Sequence, residues 1–348
     1  MGRGELLVLI AKDFKYSIEN FRGIAIIFVM LSHLSSFSSL GSAGRYLHFT
    51  FVDATTWFVF ISGYLFSHIE KNINFKYIDY IYKKLKFVIA PYLILSIPAI
   101  LAGLYFQRHS LLELNAAEYT LWSLSVGGSV VGPMWFIPMI AVFFLLSFIF
   151  NSIKGYSLIL ATIPLLLLSI FSFRPYMDMN PFFDFIHFAG FYLFGMSMHT
   201  LGSYITKFSK SLSLFVISVT CLGFLTLLVY FGENFTLNSQ YTSFYKNLGA
   251  FNSMQLGKFI LLIFVFFFLE KFYNKHSKTL SYFAKVSFGL FFIHGFYMLI
   301  FGRYLSPILP SSPITFLIEF IIIVPGSIVT VHLLKTILKS RSKYVIGC

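Results

Sequence analysis

Charged residues and cysteine are both scarce in this sequence, and each shortage excludes a class of protein. Only 11% of the 348 residues are charged, whereas 57% are hydrophobic and 20% are aromatic. Soluble globular domains are about 25% charged, so the chain is predicted to be a membrane protein. Two cysteines, Cys221 and Cys348, are too few for a disulfide framework or a thiolate zinc site. No spacing of histidines and carboxylates predicts a metal site either.

The little charge that is present is mostly positive, with a net charge of +13. An excess of this kind is also typical of nucleic-acid-binding proteins, but here the basic residues lie in short segments between apolar runs. Positive charge in short connecting segments sets the orientation of a membrane protein. The sequence therefore predicts that the partner of this charge is the lipid bilayer and that the chain does not bind nucleic acid.

Ten apolar runs long enough to cross a bilayer follow one another along the chain. Polar or turn-forming stretches, such as LGSAGR and FRPYMDMNP, separate them, and we find no internal repeat. The fold class is therefore predicted as all-α, a polytopic transmembrane helical bundle of about ten spans. The predicted spans are residues 21–40, 50–69, 87–106, 133–151, 157–173, 183–201, 212–231, 255–273, 283–303 and 314–336.

The distribution of lysine and arginine predicts how the bundle is oriented. If the N-terminus is cytoplasmic, 20 basic residues fall on the cytoplasmic side and six on the other, which satisfies the positive-inside rule. Both termini are therefore predicted to be cytoplasmic in an integral protein of the cytoplasmic (inner) membrane. Residues 1–20 are predicted as a cytoplasmic segment, 21–338 as the transmembrane domain and 339–348 as a cytoplasmic tail. The six residues on the far side are Arg45, Arg108, Arg174, Lys246, Lys258 and Arg303.

The first apolar run, FRGIAIIFVMLSHLSSF, contains two ionisable residues, Arg22 and His33. Eleven residues make just over three helical turns, so both side chains are predicted on one face, about 16 Å apart along the axis. A histidine at that depth is costly unless it faces the bundle interior, and it is a functional candidate by default. The alternatives are an interfacial anchor for Arg22 and, for His33, a neutral imidazole hydrogen-bonded to a neighbouring helix.

Five segments, taken in order, resemble the acyltransferase-3 family of integral membrane acyltransferases. FRGIAIIFVMLSHL resembles the family's first helix, in which a basic residue, ten residues and a histidine follow one another. WFVFISGYLF, which contains Ser62, Gly63 and Tyr64, resembles its second helix, and KKLKFVIAPYL resembles the basic motif before its third. PMWFIPMI and SFGLFFIHGF resemble later segments, so the resemblance runs from residue 21 to residue 296.

The basic motif departs from the family pattern, because Lys83 and Lys86 stand where Arg-x-x-Arg is usual. Lysine neutralises a phosphate but does not form the bidentate fork of arginine. The resemblance implies that these two lysines, together with Arg22, bind the phosphates of the acyl donor. The alternative is a positive-inside cluster that only anchors the third span.

The family transfers acyl groups, often acetyl, from acyl-coenzyme A to hydroxyls of surface glycans. The resemblance implies that residues 21–338 are an acyltransferase domain, an O-acetyltransferase acting on a cell-envelope glycan or glycolipid. Acetyl-coenzyme A, or another acyl-coenzyme A, is then the co-substrate, and no cofactor is tightly bound. Arg22 and His33 are predicted to engage opposite ends of this extended donor. His33 acts as a general base on the acceptor hydroxyl or carries the acyl group itself.

Five residues are candidates for binding the acceptor, which is presented within the bundle or by a protein of glycan assembly. Solvated helix ends explain the acidic and histidine members equally well, and interfacial anchoring explains the tryptophan. The five residues are Asp53, Tyr64, Trp135, Asp184 and His187.

Three further polar residues in the apolar runs have no assigned role. Ser62 precedes the glycine of the second-helix motif. His294 is either a packed, hydrogen-bonded histidine or part of the site. A carboxylate inside a span is costly, so Glu319 is protonated, paired with a basic group or used in catalysis.

Two other functions stay open on the sequence alone. A secondary transporter or exporter of a glycan or small polar solute also has many spans and scattered intramembrane charges. Transporters commonly contain inverted repeats and paired broken helices, and we find neither pattern. A catalytically inactive family member that binds or exports a glycan is the other alternative. Binding of coenzyme A, or slow hydrolysis of acetyl-coenzyme A, distinguishes the enzyme from a transporter.

Overall fold

A computed structural model describes residues 15–72, 75–174, 179–202 and 248–348, together with positions 204, 207 and 223. Over these residues the regular structure is helical, without a β-strand. The predicted all-α class is therefore confirmed. The predicted span at 212–231 lies outside the described residues.

The helices are numbered here over the described residues. Short 3₁₀ turns cover Ser35–Leu40, Gly132–Trp135 and Lys339–Arg341, and π-helical turns cover Leu85–Ile89 and Phe301–Leu305. The α-helices are α1 (Tyr16–Ser32), α2 (Gly41–Phe51), α3 (Thr55–Asn72), α4 (Tyr77–Lys84), α5 (Ala90–Tyr105), α6 (Arg108–Leu111), α7 (Ala116–Val126), α8 (Phe136–Leu145), α9 (Ser147–Ser152), α10 (Tyr156–Ile170), α11 (Pro181–Thr200), α12 (Ser253–Phe272), α13 (Lys278–Ile300), α14 (Pro313–Leu338) and α15 (Ser342–Val345).

Five helical stretches among the described residues are long and apolar enough to cross a membrane. Ten spans are thus not confirmed. Two of the predicted spans correspond to short helices, since α1 has 17 residues and α10 has 15. A straight crossing of the hydrocarbon core takes roughly 20 residues. The five stretches are Ser35–Lys71, Tyr77–Tyr105, Ser253–Phe272, Lys278–Leu305 and Pro313–Val345.

Contacts between helix termini define two ends of the bundle, which we call the Arg22 end and the His33 end. At the Arg22 end, where α1 begins, Lys15 Nζ lies 3.0 Å from Glu270 Oε1 near the last turn of α12. Asn20 Nδ2 donates there to the carbonyl oxygen of Tyr273 at 2.7 Å. Because α12 finishes at the Arg22 end, it begins at the His33 end.

Helix α1 lies in the middle of the bundle and packs against α13, α3 and α12. The sequence predicts one helix over residues 21–40, and this is wrong at its second half. The α-helix ends at Ser32, His33 is its C-cap residue, and a 3₁₀ turn follows from Ser35. The residues LGSAGR, predicted as a loop, belong largely to α2.

Glycine allows α3 and α11 to approach until their backbones touch. A Cβ atom at Gly63 would lie 1.9 Å from the carbonyl oxygen of Tyr192, and one at Gly195 would lie 2.0 Å from that of Phe60. Small residues serve this purpose at helix crossings in membranes. Gly63 thereby fixes the position of its neighbours Ser62 and Tyr64 relative to α11.

The segment predicted as a cytoplasmic tail folds back onto the bundle. Helix α15 packs against α5, and the ring of Tyr344 stacks on that of Phe87 with centroids 5.6 Å apart. Ile346 and Cys348 are buried in the main hydrophobic core. These final residues therefore contribute to the packing of the domain.

Candidate functional site

Arg22 marks one end of the candidate site. Its Nε donates to Ser287 Oγ on α13 at 2.8 Å, and the side chain is half-buried. Arg22 lines both of the cavities described below and is the charged residue that they share, together with the apolar Ile61 and Leu65. A cation at the junction of two cavities can contact a ligand that occupies both.

The first cavity, which we call the basic cavity, has a volume of about 180 Å³ and lies at the Arg22 end. Its lining includes Lys15, Arg22, His68 and Lys285, with Glu19 as the single carboxylate. Lys15 is paired with Glu270, but Arg22 and Lys285 still outnumber Glu19, so the cavity favours an anion.

The second cavity, which we call the apolar cavity, has a volume of about 160 Å³ and extends from Arg22 into the bundle. Phenylalanine, isoleucine and leucine side chains form most of its wall. Its polar groups are few: Arg22, Ser62, Tyr80, Lys84 and Ser287. A mostly apolar space with a few polar groups is typical of a small-molecule site.

Lys84, which the sequence analysis did not select, is the lysine of the basic motif that lines the apolar cavity. Its Nζ lies 4.5 Å from the ring centroid of Phe144 and 5.0 Å from that of Tyr80. The predicted Lys83 is exposed, and Lys86 Nζ lies 5.2 Å from the ring centroid of Tyr344. Neither of these two lysines lines either cavity.

A sequence signal for Lys84 does exist. Residues four apart lie on the same face of a helix, and Lys84 follows the buried Tyr80 by four residues in α4. The Arg-x-x-Arg spacing of the family instead points to Lys83 and Lys86, which do not line either cavity.

His33 marks the other end of the candidate site. Its ring centroid lies 5.3 Å from that of His294 on α13, with 35° between the ring planes. His294 is fully buried, and its Nδ1 lies 2.8 Å from the carbonyl oxygen of Leu290. Because a carbonyl only accepts, Nδ1 carries the proton and Nε2 presents a lone pair. In the described part of the chain, nothing hydrogen-bonds to that Nε2 atom.

Arg22 and His33 both face α13, as their spacing predicts. Their partners on that helix, Ser287 and His294, are seven residues apart, which is about 10 Å of helical rise. Arg22 and His33 thus lie along one side of the bundle interior and are too far apart to act on the same atom.

Glu319 on α14 holds the turn that follows His33. One carboxylate oxygen accepts from the backbone N–H of Ser35 at 2.8 Å and from its hydroxyl at 2.7 Å. The other accepts from the backbone N–H of Ser36 at 2.9 Å and from the Ser36 hydroxyl. Four donors satisfy the carboxylate although it is only 1% exposed. Of the predicted roles for Glu319, pairing with a basic group is not found among the described residues.

Trp135 and Asp184, two predicted acceptor-binding residues, are joined by Arg174. The guanidinium carbon of Arg174 lies 3.8 Å from the Trp135 ring centroid, and its Nε lies 3.8 Å from Asp184 Oδ1. Arg174 therefore covers the indole face that a sugar would use for stacking. From the sequence, Arg174 is predicted only as a basic residue in a connecting segment, because its pairing depends on how α8 and α11 pack.

Of the remaining predicted acceptor residues, His187 lies one turn of α11 from Asp184, and its ring contacts that of Phe188, which stacks on Trp135. His187 is buried, with Nδ1 2.9 Å from Ser172 Oγ, which is the bonding of a packed histidine. Asp53 is exposed in the turn between α2 and α3. Tyr64 lines the basic cavity at the Arg22 end.

These features define a class of protein: an α-helical membrane protein with an internal site that runs between a cationic end and an imidazole end. The model of the acyltransferase-3 family, an acyltransferase domain, matches residues 15–332. The chain belongs to this family, as the sequence motifs indicate, and is a membrane acyltransferase. Neither the curated proteins nor the solved structures contain a match to the chain.

Proposed function

We propose that this protein is an O-acetyltransferase that moves an acetyl group from acetyl-coenzyme A to a hydroxyl of a cell-envelope glycan or glycolipid. The observation that supports this most is the pair of cavities that meet at Arg22, one basic and one apolar. Coenzyme A is divided in the same way: its nucleotide end carries negatively charged phosphates, and its pantetheine arm is long, thin and uncharged.

The phosphates of the donor occupy the basic cavity in this proposal. Arg22 and Lys285 contribute positive charge from the wall of the cavity, and Lys84 adds a third cation at the mouth of the apolar cavity. Charge-assisted hydrogen bonds from arginine to phosphate are about twice as strong as neutral ones. Lys84 replaces Lys83 and Lys86 as the lysine that we propose for this role, because it lines the cavity and they do not.

The pantetheine arm occupies the apolar cavity, and its thioester reaches the imidazole end. Ser62 offers a hydroxyl group to the amides of the arm, whereas the Ser287 hydroxyl already bonds to Arg22 and to the carbonyl oxygen of Ala284. The wall of this cavity includes Phe291, whose ring centroid lies 6.1 Å from that of His294. The donor thus follows α13 from Ser287, which bonds to Arg22, to His294, whose ring lies beside that of His33.

At the imidazole end, His33 takes the proton of the acceptor hydroxyl as its oxygen attacks the thioester carbonyl carbon. The carbon–sulfur bond then breaks, and the sulfur leaves with the proton returned from the imidazolium. In the alternative route the imidazole nitrogen attacks the thioester carbon first and the thiolate leaves; the acceptor oxygen then takes the acyl group from the nitrogen, and the hydroxyl proton passes to the thiolate. The His33 side chain is partly exposed, so in this proposal substrate can reach its ring nitrogens for either route.

The test measures coenzyme A binding and thiol release from acetyl-coenzyme A with the purified full-length protein. We expect His33→Ala to lower thiol release by about 100-fold or more, the usual contribution of a general base, with coenzyme A binding retained. Arg22→Ala is expected to weaken coenzyme A binding by about 10- to 100-fold, since a hydrogen bond to a charged group contributes about 1.5–3 kcal/mol.

The matched control is His332→Ala, because His332 is exposed on α14 and lines neither cavity. This variant is expected to bind and turn over the donor as the wild type does. Turnover by His33→Ala at the wild-type rate would exclude the catalytic role. A wild-type protein that neither binds coenzyme A nor releases thiol would favour the transporter or the inactive family member.

A further inference from the structure

Three phenylalanine side chains meet at the inner end of the apolar cavity. Phe58 comes from α3, Phe136 from the start of α8 and Phe291 from α13, and all three line the cavity. Phe136 and Phe291 are 8% and 5% exposed, and Phe58 is partly buried. Three separate helices therefore bring one ring each to the same place.

Each of these rings contacts the other two. The ring centroids of Phe136 and Phe291 are 5.1 Å apart, those of Phe58 and Phe291 are 6.1 Å apart, and those of Phe58 and Phe136 are 6.4 Å apart. Tilted and edge-to-face pairs at these distances are attractive. The three rings hold together as one unit across the cavity.

The position of this unit separates the two ends of the site. On one side is the cavity that contains Arg22 and Lys84. On the other side Phe291 contacts His294, whose ring lies beside that of His33. Phe136 contacts Trp135 at a centroid distance of 6.0 Å, and Trp135 carries Arg174 on its face. A donor that follows α13 from Ser287 to His294 passes Phe291, which lies between them on that helix.

We propose that Phe58, Phe136 and Phe291 form an aromatic septum between the donor cavity and the imidazole pair, and that this septum restricts the donor to short acyl groups. This inference rests on the proposed use of acyl-coenzyme A. The thin thioester end of the donor passes when the rings rotate about their side-chain bonds, without displacement of a helix.

A bulky or long acyl group meets two obstacles at this position. It must pass the three rings, and it must then fit beside His294, which is fully buried. Packed interiors do not accept extra methylenes without displacement of side chains.

The experiment compares thiol release from acetyl-, butyryl- and octanoyl-coenzyme A by the purified full-length protein. The wild type is expected to prefer acetyl-coenzyme A. Phe291→Ala removes one ring of the septum and is expected to raise the octanoyl-to-acetyl rate ratio by at least about tenfold, the scale on which pockets discriminate methylenes. Phe291→Leu keeps an apolar side chain, costs less folding stability and is expected to shift the ratio in the same direction.

The matched control is Phe143→Ala, on the same helix as Phe136. Phe143 is fully buried and contacts aromatic rings of Phe150, Phe185 and Tyr192, but it does not line the apolar cavity. Its rate ratio is expected to equal that of the wild type.

Two negative results are distinguishable. An unchanged ratio in both Phe291 variants, with coenzyme A binding and acetyl turnover retained, overturns the septum and leaves the proposed function intact. A wild-type protein that binds no coenzyme A overturns the proposed function, and the septum with it.

Discussion

At the scale of single residues, adjacent lysines of the basic motif before α5 lie in different environments. Lys83 and Lys84 are adjacent in the chain, yet Lys83 is exposed whereas Lys84 lines the apolar cavity that contains Arg22. A helix turns by about 100° per residue, so consecutive side chains cannot share a face. Charge alone therefore does not identify the donor-binding lysine.

This difference leads to a paired prediction for coenzyme A affinity. Lys84→Ala is expected to raise the Kd for coenzyme A by about tenfold, because an ion pair to phosphate shielded from water is worth more than about 1 kcal/mol. Lys83→Ala is expected to leave the Kd unchanged, since surface charges contribute little. Calorimetric titration of both variants makes the comparison, and equal effects would contradict the assignment of Lys84.

At the scale of structural elements, the 3₁₀ turn Ser35–Leu40 decides where His33 lies. The turn begins two residues after His33, and its first two N–H groups donate to Glu319 on α14. A carboxylate at the N-terminus of a helical turn satisfies groups that have no partner within the turn. α14 therefore controls the end of α1 although the two segments are far apart in the sequence.

We expect Glu319→Ala to lower thiol release from acetyl-coenzyme A by at least about tenfold and to lower the thermal midpoint, because four donors on Ser35 and Ser36 lose their acceptor. Coenzyme A binding is expected to persist, since Glu319 lines neither cavity. Glu319→Gln retains one acceptor oxygen and is expected to fall between the wild type and Glu319→Ala. The control is Glu113→Gln at an exposed position. Wild-type turnover in Glu319→Ala would show that the turn does not position His33.

At the scale of the whole molecule, the two ends of the bundle face opposite sides of the membrane in our proposal. The positive-inside distribution predicts that the Arg22 end is cytoplasmic, where acetyl-coenzyme A is made available. The His33 end, with Arg174 and Asp184, then faces the acceptor. The aromatic septum separates the two sides within one protein.

Cysteine labelling tests this orientation in a background in which Cys221 and Cys348 are replaced by serine. Lys76→Cys, exposed at the Arg22 end, is expected to react with a membrane-impermeant maleimide only after the cells are permeabilised. Ser110→Cys, exposed between α5 and α7, is expected to react in intact cells. Labelling of both positions from the same side would contradict the predicted orientation.

The sequence predicts the class and family of this protein but not where its first helix ends. The helical class and the family follow from hydropathy and from the order of short motifs, and both are confirmed. The shared side of Arg22 and His33 also followed from helical spacing. The break after Ser32, however, depends on Glu319, which is 284 residues further along the chain than Ser35. Local patterns do not contain such a partner.

The sequence by itself determined that this chain is a helical membrane protein of the acyltransferase-3 family, because hydropathy and motif order depend only on near neighbours in the chain. The tertiary structure decided which lysine lines the cavity with Arg22, which acid holds the turn after His33 and which rings line the apolar cavity. Those choices depend on the packing of helices that are distant in sequence, and packing is a property of the folded bundle as a whole.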